Sequence, residues 1–166
     1  MKLIKLITVL AIGLLLSLQA VSAGTGLAQE KSEDGRFAVV INAKNEFKGE
    51  GKDARDAVRR LFLKDASTWS GTKHKAKAFD RGAKDDAHIS FVTDVLEMKE
   101  SELAKHWIMV KQKSGETRPR EVDSDRSLFK MIAKYDGALG FAETSSLEDL
   151  PEGTKVLFTF GEPEKK

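Results

Sequence analysis

Phe37-Ala38-Val39-Val40-Ile41 is an unbroken apolar run of strand length, and it constrains the fold more than any other feature. No polar residue interrupts it, so neither face of the strand can meet water. It belongs inside a sheet covered on both faces, as in a parallel sheet. The covering helices can be read downstream. With Asp53 as N-cap, Ala54, Ala57, Val58, Leu61 and Phe62 fall on one helical stripe. Lys75 to Asp80 alternates and predicts a second strand. Asp85 or Asp86 caps a helix carrying Ile89, Val92 and Leu96, with Phe91 and Val95 beside them. Ser101 opens another, with Leu103, Ala104, Trp107 and Ile108 facing inward, and Gln112 to Val122 reads as a polar loop. Ser124 caps a last helix with Leu128, Met131, Ile132 and Tyr135, and Gly137 is placed as its C′ residue, free to take positive φ. Ala138–Ala142 and Lys155–Phe160 are short strands.

The order β-α-β-α-α-α-β-β predicts an α/β domain, a mainly parallel sheet flanked by helices, with no internal repeat. At 166 residues the chain holds one core. It has 28 Lys+Arg against 26 Asp+Glu, which is not the basic excess of a nucleic-acid binder. The absence of cysteine removes disulfides, thiolate metal sites and cysteine nucleophiles.

Met1 to Ala23 reads as a secretory signal peptide. Lys2 and Lys5 form the positive segment, Leu6 to Leu18 the apolar one, and Val21-Ser22-Ala23 the small-residue cleavage site. The apolar run is short of the ~20 residues that span a bilayer, so a membrane anchor after cleavage is not expected. With no cysteine after it, a lipid anchor is excluded. Cleavage removes two lysines and leaves 26 basic against 26 acidic residues, so the slight positive balance comes from the targeting segment. The expected location is periplasmic or secreted. Residues 24–36 read as a flexible leader, 37–160 as the domain and 161–166 as a tail.

A series of residues carries a family resemblance: Val39 to Asn42, the helix ending Arg60-Leu61-Phe62-Leu63, Trp69 and Gly71, Asp80-Arg81, Phe91 with Val95-Leu96, Trp107, and Gly137-Ala138-Leu139-Gly140-Phe141. From about Phe37 to Phe160 the chain resembles one lobe of the phosphate-binding periplasmic proteins that serve ABC transporters, and their short single-lobe relatives. The resemblance implies a type II periplasmic-binding-protein-like fold. It also implies a phosphate or small-anion ligand, held in two-lobed members by helix N-terminal N–H groups, hydroxyls, an arginine and a carboxylate. The physics is sound, because a helix N-terminus offers unpaired donors and the positive end of a dipole.

The ligand loop departs from that pattern. Arg81 matches the family's arginine, but Ala83 stands where an aspartate is expected, and Asp85-Asp86-Ala87 where Ser-Gly-Thr is expected. Two carboxylates at the helix start cap the helix and repel an incoming phosphate. Arg81, Asp85 and Asp86 are therefore the candidate ligand residues, with anion binding weak or lost. The plain alternative for Arg81 is a surface arginine paired with Asp80 or Asp85. Ser70-Gly71-Thr72 spells the family tripeptide, but it precedes a strand and lacks the helix behind it.

No other constellation points to chemistry. His74, His88 and His106 have no zinc spacing, and no metal site or cofactor is expected. No serine sits in a nucleophile elbow, and the reading is that the chain is not an enzyme. Gly49-Glu50-Gly51-Lys52 fails as a nucleotide loop at Glu46 and Asp53. Trp69, Trp107 and Phe141 read as core residues. Lys111-Gln112-Lys113 and Arg118-Pro119-Arg120 form a basic stretch that suits an acidic partner, phosphate or plain solvent. The expectation is an exported solute-binding-like module; the alternative is an envelope protein-interaction module built on the same lobe.

Overall fold

A computed structural model describes residues 35–162; the expected signal peptide, most of the leader, and the last four residues lie outside them. Five strands form one sheet: β1 (Phe37–Asn42), β2 (Lys77–Asp80), β3 (Arg120–Glu121), β4 (Ala138–Glu143) and β5 (Thr154–Phe160). Their spatial order is β3-β2-β4-β1-β5. β2 runs parallel to both β3 and β4, while β1 runs antiparallel to β4 and β5. Four strands thus point one way and β1 the other. The apolar run in β1 is buried along its whole length, as expected. Its composition reports helices on both faces and carries no information on strand direction.

Alternation along β1 divides the core in two. Val39 and Ile41 face one side with Leu139 and Phe141. They pack against Ala54, Val58, Leu61 and Phe62 of α1 (Gly51–Phe62) and against Phe91. Val40 faces the other side with Phe79, and meets Leu128, Phe129 and Ile132 of α4 (Asp125–Lys134). Phe91 stacks on Phe141 with ring centroids 4.2 Å apart, and Trp69 and Phe141 are fully buried. The core reading of these aromatics holds, with Trp107 half-buried and edge-on to Phe62.

The helix starts and faces differ from the sequence reading at several points. α1 begins at Gly51 with Glu50 as N-cap, so Asp53 lies in the first turn, where its charge favours the dipole without capping. α2 (Asp86–Ser90) has Asp85 as N-cap, whose Oδ1 accepts from Ala87 N at 2.9 Å. α2 continues into a π-helical turn over Phe91–Val95. That wider turn rotates the stripe, so Phe91, Val92, Val95 and Leu96 are buried and Ile89 is exposed. α3 spans Glu100–Ser114 and ends at Gly115, absorbing the start of the expected polar loop. Only Leu103 of α3 is buried; Ala104 and Ile108, expected inside, are exposed.

Ser124 caps α4 as expected, accepting from Ser127 N at 3.3 Å. Gly137 is not a positive-φ residue. It is needed for close approach: a Cβ there would lie 1.9 Å from the Lys75 carbonyl oxygen. The Gly137 carbonyl accepts from Trp69 Nε1 and Lys77 N, each at 3.0 Å, which draws the 69–77 segment against the start of β4. β3 and a 3-10 turn at Thr144–Asp149 had no sequence signal strong enough to read.

Candidate functional site

The sheet delivers β2, β3 and β4 to one edge by their C-terminal ends. The N-termini of α2 and α4 arrive at the same edge from opposite faces. This is where open α/β sheets place ligands, since unpaired helix N–H groups converge there. Arg81 follows directly on β2 and reaches both helices. Its Nε lies 3.2 Å from Asp85 Oδ2, at the N-cap of α2. Its Nη1 lies 3.1 Å from Asp125 Oδ1, in the first turn of α4. The pairing with Asp85 is the one the plain alternative offered, but the Arg81 side chain is 11% exposed, so it is not a surface arginine. Nη1 and Oδ1 are buried and poorly aligned for a hydrogen bond, so their contact is chiefly Coulombic.

Asp80, the last residue of β2, does not pair with the Arg81 side chain. Its Oδ1 accepts from Arg81 backbone N at 2.8 Å and from His88 Nδ1 at 2.8 Å. His88 Nε2 contacts Glu100 Oε2 at 3.1 Å. Burial alone would lower the His88 pKa. The hydrogen bond and charge of Asp80, then those of Glu100, outweigh burial and raise it to about 9. His88 is therefore an imidazolium at neutral pH, donating from both nitrogens. Neither nitrogen is free to act as a base.

Asp86, the third candidate from sequence, turns the other way. Its Oδ2 lies 3.2 Å from Arg36 Nη2, and Arg36 also faces Glu143 at 3.7 Å. So the structure brings Arg81 and Asp85 together and places Asp86 in a neighbouring surface pair. It adds His88, Glu100 and Asp125, which sequence reasoning missed, and Asp80, which the sequence offered only as a partner for the Arg81 side chain. Asp80 was visible as the residue before Arg81. Asp125 follows the Ser124 cap, but nothing in the sequence ties that helix start to Arg81.

Counted together, six carboxylates (Asp80, Asp85, Asp86, Glu100, Asp125 and Glu143) face three cations, Arg36, Arg81 and His88. Within this ion-paired network the carboxylates outnumber the cations, while the exposed Lys84 and Arg126 flank Asp85 and Asp125 in sequence. Ser70 and Gly71 lie elsewhere, on a groove of about 630 Å³ beside α1, with Thr72 Oγ1 bonded to the Trp69 carbonyl oxygen. Among the described residues, no group of His, Asp and Glu is arranged to hold a metal. None of the described helices is long and apolar enough to cross a membrane.

No protein-family model matches the chain, and no curated protein matches it in sequence. Solved structures do match in fold. An ABC-type phosphate transport receptor from Vibrio cholerae superposes with TM-score 0.54 at 17% identity, over 75% of this chain and 45% of that one. A possible phosphate binding protein from Planctomyces limnophilus gives 0.51 at 18% identity, over 75% and 40%. PstS from Borrelia burgdorferi gives 0.54 at 12% identity, over 76% and 47%. The domain has the fold of one lobe of these phosphate-binding proteins. The chain spans under half the length of each of these structures. At such identities the likeness is one of fold, and the ligand must be argued from the residues.

Proposed function

We propose that this chain is an exported, non-enzymatic, solute-binding-like module whose anion site is filled by its own carboxylates. Asp85 and Asp125 stand on either side of Arg81, each at a helix N-terminus, where an incoming oxyanion would find its charge partner and its N–H donors. That placement carries the reading. An anion must displace a carboxylate from Arg81 and lie close to the one that remains, so phosphate and other small anions bind weakly or not at all. The engagement of both His88 nitrogens supports the non-enzymatic part. The signal-peptide pattern of residues 1–23 supports export to the periplasm or beyond. Isothermal titration of the full chain with inorganic phosphate tests the proposal. Submicromolar binding at the Arg81 edge would overturn it.

The second reading, a protein-interaction module using the lobe as scaffold, is favoured by α3. Ile108 and Met109 are 59% and 60% exposed on a helix that buries only Leu103. Large apolar side chains left in water on one helix suit a partner surface. Sedimentation of the full chain, beside an Ile108→Ser/Met109→Ser variant, tests for self-association. Self-association by the parent and not by the variant supports this reading, and a monomer in both removes its self-association form.

A further inference from the structure

A second concentration of charge lies at the other end of the sheet. Lys77 opens β2, opposite Ala138 at the start of β4, while Asp80 and Arg81 end β2 at the far edge. Next to Lys77 is a shallow pocket of about 510 Å³. Lys73, Lys75 and Lys77 enter it from one segment, and Lys134 from the end of α4. All four lysines are exposed, and His74 lies between the first two. The one carboxylate in the lining is Asp136. Among the described residues, none of the four lysines forms an ion pair.

We propose that this pocket binds a multivalent phosphate, an inorganic polyphosphate or a compound carrying a linear phosphate chain, independently of the Arg81 site. The ammonium groups explain the class. Each is a strongly hydrated point charge, and lysine binds phosphate in that manner. In an open pocket one pair is screened and adds little, so a single phosphate gains little there. Lys75 and Lys77 are two residues apart on extended chain, about 7 Å by strand geometry. With Lys73 and Lys134 they spread positive charge around a pocket that a single phosphate meets only in part and a chain of phosphates meets more fully. Tyr135 also lines the pocket, with Lys77 Nζ 3.4 Å and Lys134 Nζ 5.4 Å from its ring centroid. Its hydroxyl offers a neutral donor among the charges.

Tyr135 also reports on the pocket, because it is the only tyrosine in the chain. Lys77, and then Lys134, hold its phenol below the usual range. A bound polyanion offsets that field and moves the phenol back up. The experiment titrates the full chain at low salt with inorganic orthophosphate, pyrophosphate and tripolyphosphate, by calorimetry and by phenolate absorbance. Affinity is expected to rise along that series, by at least about tenfold from first to last, as linked contacts add. The Tyr135 midpoint is expected to rise with tripolyphosphate. Lys73→Gln/Lys75→Gln/Lys134→Gln should lose most of the binding. Lys44→Gln/Lys52→Gln/Lys105→Gln, the same charge change at exposed lysines outside this pocket, should retain it. Equal loss in both triple variants would overturn the proposal in favour of diffuse attraction. So would an unmoved Tyr135 midpoint, or no tripolyphosphate binding at millimolar concentration.

Discussion

Arg81 and Asp125 join two helices that lie on opposite faces of the sheet. The guanidinium follows β2, Asp125 opens α4, and their nearest atoms are 3.1 Å apart in the interior. With Asp85 on its other side, Arg81 closes the edge where both helix N-termini converge. A buried guanidinium between two carboxylates is costly to leave half-paired.

Arg81→Met keeps much of the side-chain volume and removes the charge. Asp85 and Asp125 then face each other without their shared cation, though each helix dipole offsets part of the loss. The expected cost is about 2–4 kcal/mol, below the upper end for a broken buried pair because Asp85 is partly exposed. Urea unfolding measures it. A change under about 0.5 kcal/mol, the size expected of an ordinary surface substitution, would place Arg81 outside the structural core of the site.

His88 makes stability depend on pH in a defined direction. Its pKa is raised in the folded state, from 6.5 to about 9. Its contribution is therefore fully present below about pH 6.5 and is lost as pH rises through about 9. Urea midpoints for the parent should fall across that window. His88→Gln should be less stable at pH 6 and should show a flatter profile. An imidazole that titrates near 6.5 by NMR, with a flat parent profile, would contradict the charged bridge between Asp80 and Glu100.

Two glycines should respond oppositely to alanine. At Gly137 an added Cβ would meet the Lys75 carbonyl, so the backbone must move, costing about 1–3 kcal/mol as other overpacked sites do. At Gly82 the same Cβ meets nothing within 4 Å and φ is ordinary. Gly82→Ala should be neutral or stabilising by up to about 1 kcal/mol, through the unfolded chain. Thermal unfolding of the two variants separates them. Similar losses at both would show that the close approach at Gly137 is not the cause.

The elements that could be read in the sequence were those whose burial is written in one local period. The β1 run, the α1 stripe and the Leu128–Ile132 pair on α4 are of this kind, and all are buried as expected except Ala57 of α1, which is half-buried. Leu61→Ala should accordingly cost about 2–5 kcal/mol, read from urea midpoints. A cost below 1 kcal/mol would mean that α1 is not packed on the sheet. The reversed direction of β1 was not legible, because a strand buried on both faces has the same composition either way. The π turn at Phe91–Val95 was not legible because one extra residue per turn shifts the stripe without changing residue types. At the site, Asp85 could be assigned as a cap from its position alone. Asp125 could not be joined to Arg81, since their contact depends on how β2 and α4 meet at the sheet edge.

The central claim is that the chain's own carboxylates occupy the anion position at Arg81. Its most direct test is a phosphate titration followed at the Arg81 Nε–H signal by NMR, in the parent and in Asp85→Ser/Asp125→Ser. The serine at 85 keeps a capping oxygen on α2, and both negative charges leave the guanidinium. In the parent the Arg81 signal should stay fixed up to millimolar phosphate. In the variant it should move and saturate, and phosphate should raise the unfolding midpoint, because a ligand that binds only the folded state stabilises it. An Arg81 signal that shifts at micromolar phosphate in the parent, or one that stays fixed in the variant, would contradict the claim.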